Sequence, residues 1–157
     1  MDIYKTVVIM LIEDDPGDQK LIKMSLKEQR IANTPVVTSS GEEAIDYLEK
    51  NKIDCKEAMP DLILLDLNMP GMGGKEFLRQ IKADPELEAI PVVILTTSES
   101  DKDIVESFKL QAAGYVRKPV NITDFQEVMR TLTDYWFTIC RRVSYESNRQ
   151  VSECSNS

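Results

Sequence analysis

Hydrophobic residues in this chain fall into short continuous runs that alternate with longer amphipathic stretches. Runs so short and apolar predict strands that are buried on both faces, as in a parallel sheet. Pro and Gly residues between the runs end the strands. In chain order, the runs are "TVVIMLI" (Thr6–Ile12), "TPVVTS", Leu62–Leu65, "IPVVILTT" and "AGYVRKP".

The amphipathic stretches predict a helix after each strand. Leu21, Ile22 and Leu26 recur at helical spacing after Pro16, and the sequence from Ser40 to Glu43 has the form of a capping box. The segment "NKIDCKEAMP" is interpreted as a polar connection. Phe77, Leu78 and Ile81 mark a third helix, and Ile104, Val105 and Phe108 mark a fourth. The last helix is predicted to start near Asn121. Five strands alternating with five helices predict an α/β fold with a doubly wound parallel sheet.

Composition and charge narrow the functional classes. The chain has 157 residues with 42% hydrophobic and 29% charged residues, which is typical of one globular domain. A net charge of −8 argues against non-specific nucleic-acid binding. No window resembles a membrane span or a signal peptide. We expect a domain over residues 5–140, followed by a polar tail over 141–157 that has lost the helical periodicity.

The cysteine and histidine content further restricts the compartment and the kinds of site that are expected for this chain. Cys55, Cys140 and Cys154 are odd in number and unclustered in sequence, which favours a reducing, cytoplasmic compartment. The chain has no histidine. This excludes zinc chemistry, histidine general bases and a phosphohistidine in this chain.

Charged and hydroxyl side chains stand where the predicted strands end. In a doubly wound sheet the carboxyl ends of the strands face one crevice, so we expect these side chains to converge. They are Glu13, Asp14 and Asp15 after the first strand, Asp66 after the third, Thr96 at the end of the fourth and Lys118 after the fifth.

These residue types together predict a phosphoryl-transfer site. Carboxylates ~4 Å apart repel by about 4 kcal/mol at an effective dielectric of 20, so a cation has to offset their charge. Oxygen ligands without histidine or cysteine select Mg²⁺ or Mn²⁺. Lys118 offers a point charge for a phosphoryl group, and Thr96 offers a hydroxyl. Because a carboxylate needs no base to become a nucleophile, Asp66 is the predicted acceptor.

Four motifs, "LIEDD", "LILLDLNMPG", "VVILTTS" and "GYVRKP", occur in this order. The set closely resembles the receiver domain of bacterial two-component response regulators, over about residues 5–137. This resemblance implies a flavodoxin-like strand order of 2-1-3-4-5. It also implies a phosphoacceptor signalling protein, not an enzyme acting on a separate substrate.

The resemblance also implies roles for individual residues. Asp14 and Asp66 would hold Mg²⁺ with the backbone carbonyl of Asn68, and Glu13 would act through water. Lys118 would pair with the phosphoryl group. The remaining implied roles are a switch formed by Thr96 and Tyr115, and tuning of phosphate hydrolysis by Asn68 and Ser98.

Three further features look like the stand-alone regulators of phytochrome-type histidine kinases. These are the longer connection before the third strand, the "LTTS" after the fourth and the final "DYWF". The partner implied is a sensor histidine kinase, phytochrome-type or hybrid, with output through protein binding. The last helix is longer than the sheet edge requires, so Tyr135, Trp136 and Phe137 are predicted to form a homodimer interface.

Other interpretations of the same residues stay open. The acids after the first strand could cap the first helix, and for Asp15 this is as good an interpretation as a functional one. Tyr115 could be structural. A phosphorylation-independent scaffold would keep the fold without the reaction. An aspartyl-phosphate phosphohydrolase would want a second acid two residues after Asp66, where this chain has Asn68.

Overall fold

The computed structural model describes residues 8–28, 34–96, 101–118 and eight positions between 123 and 134. Its helices and strands alternate as the hydrophobic pattern predicts. In order they are β1 (Ile9–Ile12), α1 (Pro16–Glu28), β2 (Val36–Thr38), α2 (Gly41–Asp54), a 3₁₀ helix (Lys56–Ala58), β3 (Leu62–Leu65), α3 (Gly73–Lys82), β4 (Val92–Thr96), α4 (Asp101–Lys109) and β5 (Gly114–Arg117).

The five strands form one parallel sheet in the order β2-β1-β3-β4-β5. This confirms the predicted fold class and strand order. In the register of the central pair, Ile12 lies opposite Leu65. The last residues of β1 and β3 are therefore neighbours, and the chain leaves both strands at the same point of the sheet edge.

Side chains of the central strands alternate between two apolar layers, one on each face of the sheet. In β1, Met10 and Ile12 join the layer beneath α2 and α3, whereas Ile9 and Leu11 join the layer that contains Ile22 of α1. All four β1 side chains are buried, and those of β3 are buried in the same way. Burying each such side chain contributes about 1.5–3 kcal/mol, so the centre of the sheet is a rigid support for the residues that follow it.

Several predicted boundaries need correction. Within the described residues the first strand begins at Ile9, and the backbone N–H of Val8 before it donates to the Asp61 carboxylate at 2.9 Å. Thr6 and Val7 of the predicted strand lie outside the described residues. The segment interpreted as a polar connection continues α2 to Asp54 and then forms the 3₁₀ helix. This helix is held by the Tyr47 hydroxyl, which donates to the Ala58 carbonyl at 2.8 Å.

The capping box that opens α2 is confirmed in modified form. The Ser40 hydroxyl accepts from the Glu43 N–H at 3.1 Å, as predicted. The Glu43 carboxylate, however, accepts from the N–H of Ser39 at 3.0 Å, one residue before the cap. The return bond therefore also fixes the chain as it leaves β2.

Only part of the predicted fifth helix lies within the described residues. The described positions between 123 and 134 are helical, and Val128 among them packs on the α1 face of the sheet. The predicted interface residues Tyr135, Trp136 and Phe137 lie outside the described residues. Every helix among the described residues is too short or too polar to span a bilayer.

Cys55, at the end of α2, is disulfide-bonded. The spacing of the cysteines along the sequence did not predict this bond. Cys140 and Cys154 lie outside the described residues. The cytoplasmic location stays a prediction.

Candidate functional site

The site is built on the ends of β1 and β3. The parallel ladder continues one step beyond both strands, because the N–H of Asp66 donates to the Ile12 carbonyl at 3.0 Å. On the other side of β1, the N–H of Glu13 donates to the Thr38 carbonyl at 3.0 Å. Glu13 and Asp66 are therefore held side by side by backbone hydrogen bonds rather than by mobile loops.

Three carboxylates meet at this point, and we call Glu13, Asp14 and Asp66 the acidic cluster. One oxygen from each lies within 4.8 Å of the others. Glu13 and Asp66 are buried, and Asp14 is half-buried. Oxygen ligands at this spacing fit a hard divalent cation such as Mg²⁺, which takes carboxylates and keeps part of its water shell.

Lys118, directly after β5, places its ammonium group against the acidic cluster. Its Nζ lies 2.6 Å from Glu13 Oε2, 2.9 Å from Asp18 Oδ2 and 3.5 Å from Asp66 Oδ2. Burial alone would lower the pKa of Lys118, but its hydrogen bonds to Glu13 and Asp18, together with the charges of Asp66 and Glu13, raise it. The ammonium group is therefore a fixed positive charge at neutral pH.

Glu13 is the acid that is most strongly perturbed. Burial raises its pKa from 4.5 to about 7, against the hydrogen bond from Lys118, and the charge of Asp66 adds to the increase. A single ammonium group does not offset the buried acids around it. The acidic cluster therefore favours either a proton or a further cation.

A pH dependence of stability follows for the metal-free protein. The folded chain binds a proton at Glu13 more tightly than the unfolded chain, so this stabilisation is complete below pH 4.5 and is lost as pH rises through about 7. We expect the free energy of unfolding to fall by on the order of 2 kcal/mol across this window. Urea denaturation with a chelator at several pH values measures it.

Because the chain has no histidine, few groups other than Glu13 change charge between pH 4.5 and about 7. The effect of Glu13 on stability can therefore be measured separately. Glu13→Gln supplies the control, since the variant retains the shape of the side chain and cannot titrate. Its profile should be nearly flat between about pH 5 and 7.5. An equal slope in both proteins would assign the effect to other groups.

The loop between β3 and α3, residues 67–72, is called the acceptor loop here. It is tied to Asp66 by the N–H of Asn68, which donates to Asp66 Oδ1 at 3.1 Å. At its far end the N–H of Met72 donates to Glu42 Oε1 on α2 at 2.8 Å. The pKa of Glu42 is lowered first by a hydrogen bond from its own backbone N–H and then by this bond from Met72. The loop is thus held from two sides, and it contains Asn68, whose carbonyl the resemblance to receiver domains implies as a metal ligand.

The structure brings together the predicted residues Glu13, Asp14, Asp66 and Lys118. Asp15 does not join them, because its Oδ2 accepts the Asp18 N–H at 2.9 Å and caps α1. That settles the open alternative for this residue in favour of capping.

The other predicted residues are described in part or not at all. Thr96 ends β4 opposite Arg117, but its side chain is not among those described. Tyr115 is half-buried and packs against the α2–α3 layer. Ser98 lies outside the described residues.

Sequence reasoning missed two acidic residues at the site. Asp18, in the first turn of α1, contacts Lys118, and Glu42, in the first turn of α2, binds the acceptor loop. The signal for both was their place at the start of a helix that follows a strand, since such helices begin at the same crevice. Which of the acids in a first turn points into the crevice depends on the rotation of the helix, and this the sequence does not give.

Comparison with known proteins gives consistent matches. The family model described as "Response regulator receiver domain" matches residues 9–130. Response regulator Rcp1 of Synechocystis sp. is 35% identical over 129 residues, which cover 82% of this chain and 88% of Rcp1.

Solved structures agree with the sequence matches. The phosphorylated cyanobacterial phytochrome response regulator RcpA has a TM-score of 0.79 and 35% identity, over 86% of this chain and 96% of RcpA. The Mn²⁺-bound form of Rcp1 has a TM-score of 0.72 and 34% identity, over 83% of this chain and 94% of that one.

Proposed function

This chain belongs to the response regulator receiver domains, and from that premise we propose that it is a single-domain response regulator whose Asp66 accepts a phosphoryl group from the phosphohistidine of a sensor kinase. The observation that carries the proposal is the buried Asp66 carboxylate at the end of β3. Its Oδ2 lies 3.5 Å from the Nζ of Lys118. At this separation the two groups are in ion-pair contact, so a phosphoryl group on Asp66 would have its oxygens within reach of the ammonium group.

The reaction needs no catalytic base. A carboxylate oxygen of Asp66 attacks phosphorus, an acyl phosphate forms, the phosphorus–nitrogen bond of the donor breaks, and the departing imidazole nitrogen takes up a proton. Lys118 is positioned to neutralise charge on the phosphoryl oxygens, and Thr96 at the end of β4 is assigned a hydroxyl contact. The protein contributes chiefly position and charge, as is typical of phosphoryl transfer.

The acidic cluster is assigned to Mg²⁺, with Mn²⁺ as an alternative. Asp14, Asp66 and the backbone carbonyl of Asn68 would bind the ion, and Glu13 would act through water. When bound, the ion supplies positive charge that neutralises the phosphoryl oxygens. Support comes from the spacing of the carboxylates and from the raised pKa of Glu13, both of which indicate an unmet need for cationic charge.

The proposed partners are a histidine kinase, of the phytochrome-type or hybrid class, and a downstream protein. Support comes from the similarity to RcpA and Rcp1, of which RcpA is described as a phytochrome response regulator. We further propose a homodimer that uses Tyr135, Trp136 and Phe137. Thr96 and Tyr115 are proposed as the switch, and Asn68 and Ser98 as residues that tune hydrolysis.

Intact-mass spectrometry after incubation with acetyl phosphate tests this function. With Mg²⁺ we expect one phosphate adduct per chain, which peptide mapping should place at Asp66. With a chelator the adduct should be absent, because the charge of the acidic cluster is then not neutralised. Hydroxylamine should remove the adduct, as expected for an acyl phosphate.

The contrary outcome is equally specific. A chain that binds Mg²⁺ and stays unlabelled under conditions that preserve acyl phosphates would support the phosphorylation-independent scaffold. Sustained hydrolysis of a phosphate monoester would instead support a phosphohydrolase. A monomer by light scattering at ~100 µM, well above the dissociation constant of a specific dimer, would overturn the dimer alone.

A further inference from the structure

Lys118 has three acidic partners, and one of them comes from outside the predicted site. The ammonium group lies within hydrogen-bond distance of Glu13, at 2.6 Å, and of Asp18, at 2.9 Å. Asp66, the proposed acceptor, is more distant at 3.5 Å. The cation is therefore drawn toward the side of the crevice formed by β1 and α1.

Asp18 is held at this place by the chain around it. The cap from Asp15 to the Asp18 N–H fixes the first turn of α1. At the next residue, the Gln19 side chain donates to the Glu13 carbonyl and to the Ser39 hydroxyl, which ties the same turn to the ends of β1 and β2. The ion pair thus joins a rigid helix start to the end of β5.

The three partners of Lys118 differ in their access to water. The side chains of Glu13 and Asp66 are 1% and 8% exposed, whereas that of Asp18 is 38% exposed. A buried carboxylate that loses its cation also lacks water to replace it, and this is costly. Asp18 can exchange the ammonium group for water at much lower cost.

We propose that Asp18 is a positioning residue. In the unphosphorylated protein it holds the Lys118 ammonium group away from Asp66, and it releases this group when Asp66 carries a phosphoryl group. An ammonium group has three donors, and two of them are already given to Glu13 and Asp18. A phosphoryl group adds oxygen acceptors and negative charge on the Asp66 side. Because Asp18 is the solvated partner, it is the one that gives way.

The consequence is a restraint on phosphorylation. Breaking the Asp18–Lys118 pair costs free energy that the phosphorylated state has to offset, so removing Asp18 should favour that state. This inference rests on the proposed function, because it concerns the same acceptor.

The test compares acetyl phosphate labelling rates at saturating Mg²⁺ for the wild type, Asp18→Asn and Asp46→Asn. We expect Asp18→Asn to be labelled about two- to fivefold faster, which is the size of effect that a part-exposed ion pair gives. Asp46→Asn removes the same charge from an exposed position on α2 and should match the wild type.

A second measurement separates release of Lys118 from simple loss of negative charge. Urea denaturation of the unphosphorylated Asp18→Asn, Lys118→Met and double variants shows whether the two side chains interact. We expect non-additive changes in unfolding free energy, because Asp18 loses its partner in the Lys118→Met protein. Additive changes would mean that Asp18 acts by its charge alone, and this would overturn the proposal.

The remaining outcomes are also decisive. Labelling of Asp18→Asn that is equal to or slower than the wild type would overturn the proposed restraint while leaving Asp66 as acceptor. No labelling of the wild type would overturn the proposed function itself, and the role of Asp18 with it. Circular dichroism identifies any variant that is not folded, and Asp18→Ala then serves as the second substitution.

Discussion

Asp66→Asn should abolish phosphate labelling by acetyl phosphate and, at the same time, make the metal-free protein more stable. The loss of labelling follows because an amide oxygen cannot act as the nucleophile that a carboxylate provides. The gain in stability follows because the substitution removes one of three carboxylates whose oxygens lie within 4.8 Å of one another. Function and stability are therefore expected to change in opposite directions at this position.

The size of the stabilisation reflects two opposed effects. Carboxylates ~4 Å apart repel by about 4 kcal/mol at an effective dielectric of 20, and Asp66→Asn relieves this repulsion. The variant also loses the attraction between Asp66 and Lys118, which is the longest contact of that ammonium group at 3.5 Å. The hydrogen bond from the Asn68 N–H survives, since an amide oxygen also accepts. We expect a net increase of about 1–2 kcal/mol in unfolding free energy.

Urea denaturation with a chelator measures this stabilisation, and intact-mass spectrometry measures the loss of labelling. Asp46→Asn is the matched control, since it removes one charge from an exposed helix position. Added Mg²⁺ should stabilise the wild type more than Asp66→Asn, because the variant has lost a proposed ligand. A destabilised Asp66→Asn protein would show that the ion pair with Lys118 outweighs the repulsion within the acidic cluster.

How much of this site could be predicted depends on the element that supplies each residue. Glu13, Asp66 and Lys118 directly follow strands, and the ends of parallel strands are placed by topology alone. A hydrophobic pattern that gives the strands therefore also gives the convergence of these side chains. The sheet order and the two buried faces could be predicted for the same reason.

Asp18 and Glu42 could not be predicted in this way, because they lie in the first turns of helices. Their contacts depend on how each helix is rotated over the sheet, and this is set by packing rather than by strand order. The Asp61 carboxylate accepts from the Val8 N–H before β1, and the Tyr47 hydroxyl donates to the Ala58 carbonyl of the 3₁₀ helix; no local sequence pattern indicates either bond. The site residues at the strand ends could thus be predicted from the sequence, whereas the contacts made by Asp18 and Glu42 from the helices could not.

Gly74→Ala is expected to destabilise the protein, although replacing glycine by alanine in a helix usually stabilises it. Alanine in a helix interior is ordinarily favoured over glycine by about 1 kcal/mol. A Cβ at Gly74 in α3, however, would lie 2.5 Å from the Asp66 carbonyl oxygen and 2.7 Å from the Leu67 Cα. Both are backbone atoms of the chain that leaves β3, so neither a rotamer change nor a flexible side chain can relieve the overlap.

The clash connects packing to the proposed chemistry. To accept a Cβ, either α3 has to move away from the sheet or the backbone at Asp66 has to shift by several tenths of an ångström. The first opens the layer that buries Phe77 and Leu78 on α3, and the second displaces the acceptor carboxylate from Lys118. We expect a loss of about 2–4 kcal/mol in unfolding free energy and labelling that is about tenfold slower.

The neighbouring glycine provides the control for this prediction. Gly73 has a φ of 73°, but a Cβ there would meet no atom within 4 Å. Because asparagine tolerates positive φ better than other side chains, Gly73→Asn should cost less than about 1 kcal/mol and leave labelling nearly unchanged. If both variants lost stability equally, α3 would be sensitive to any side chain at its start. A Gly74→Ala protein as stable as the wild type would mean that α3 can move without cost, and the close packing of α3 on the Asp66 backbone would then not be what holds the acceptor in place.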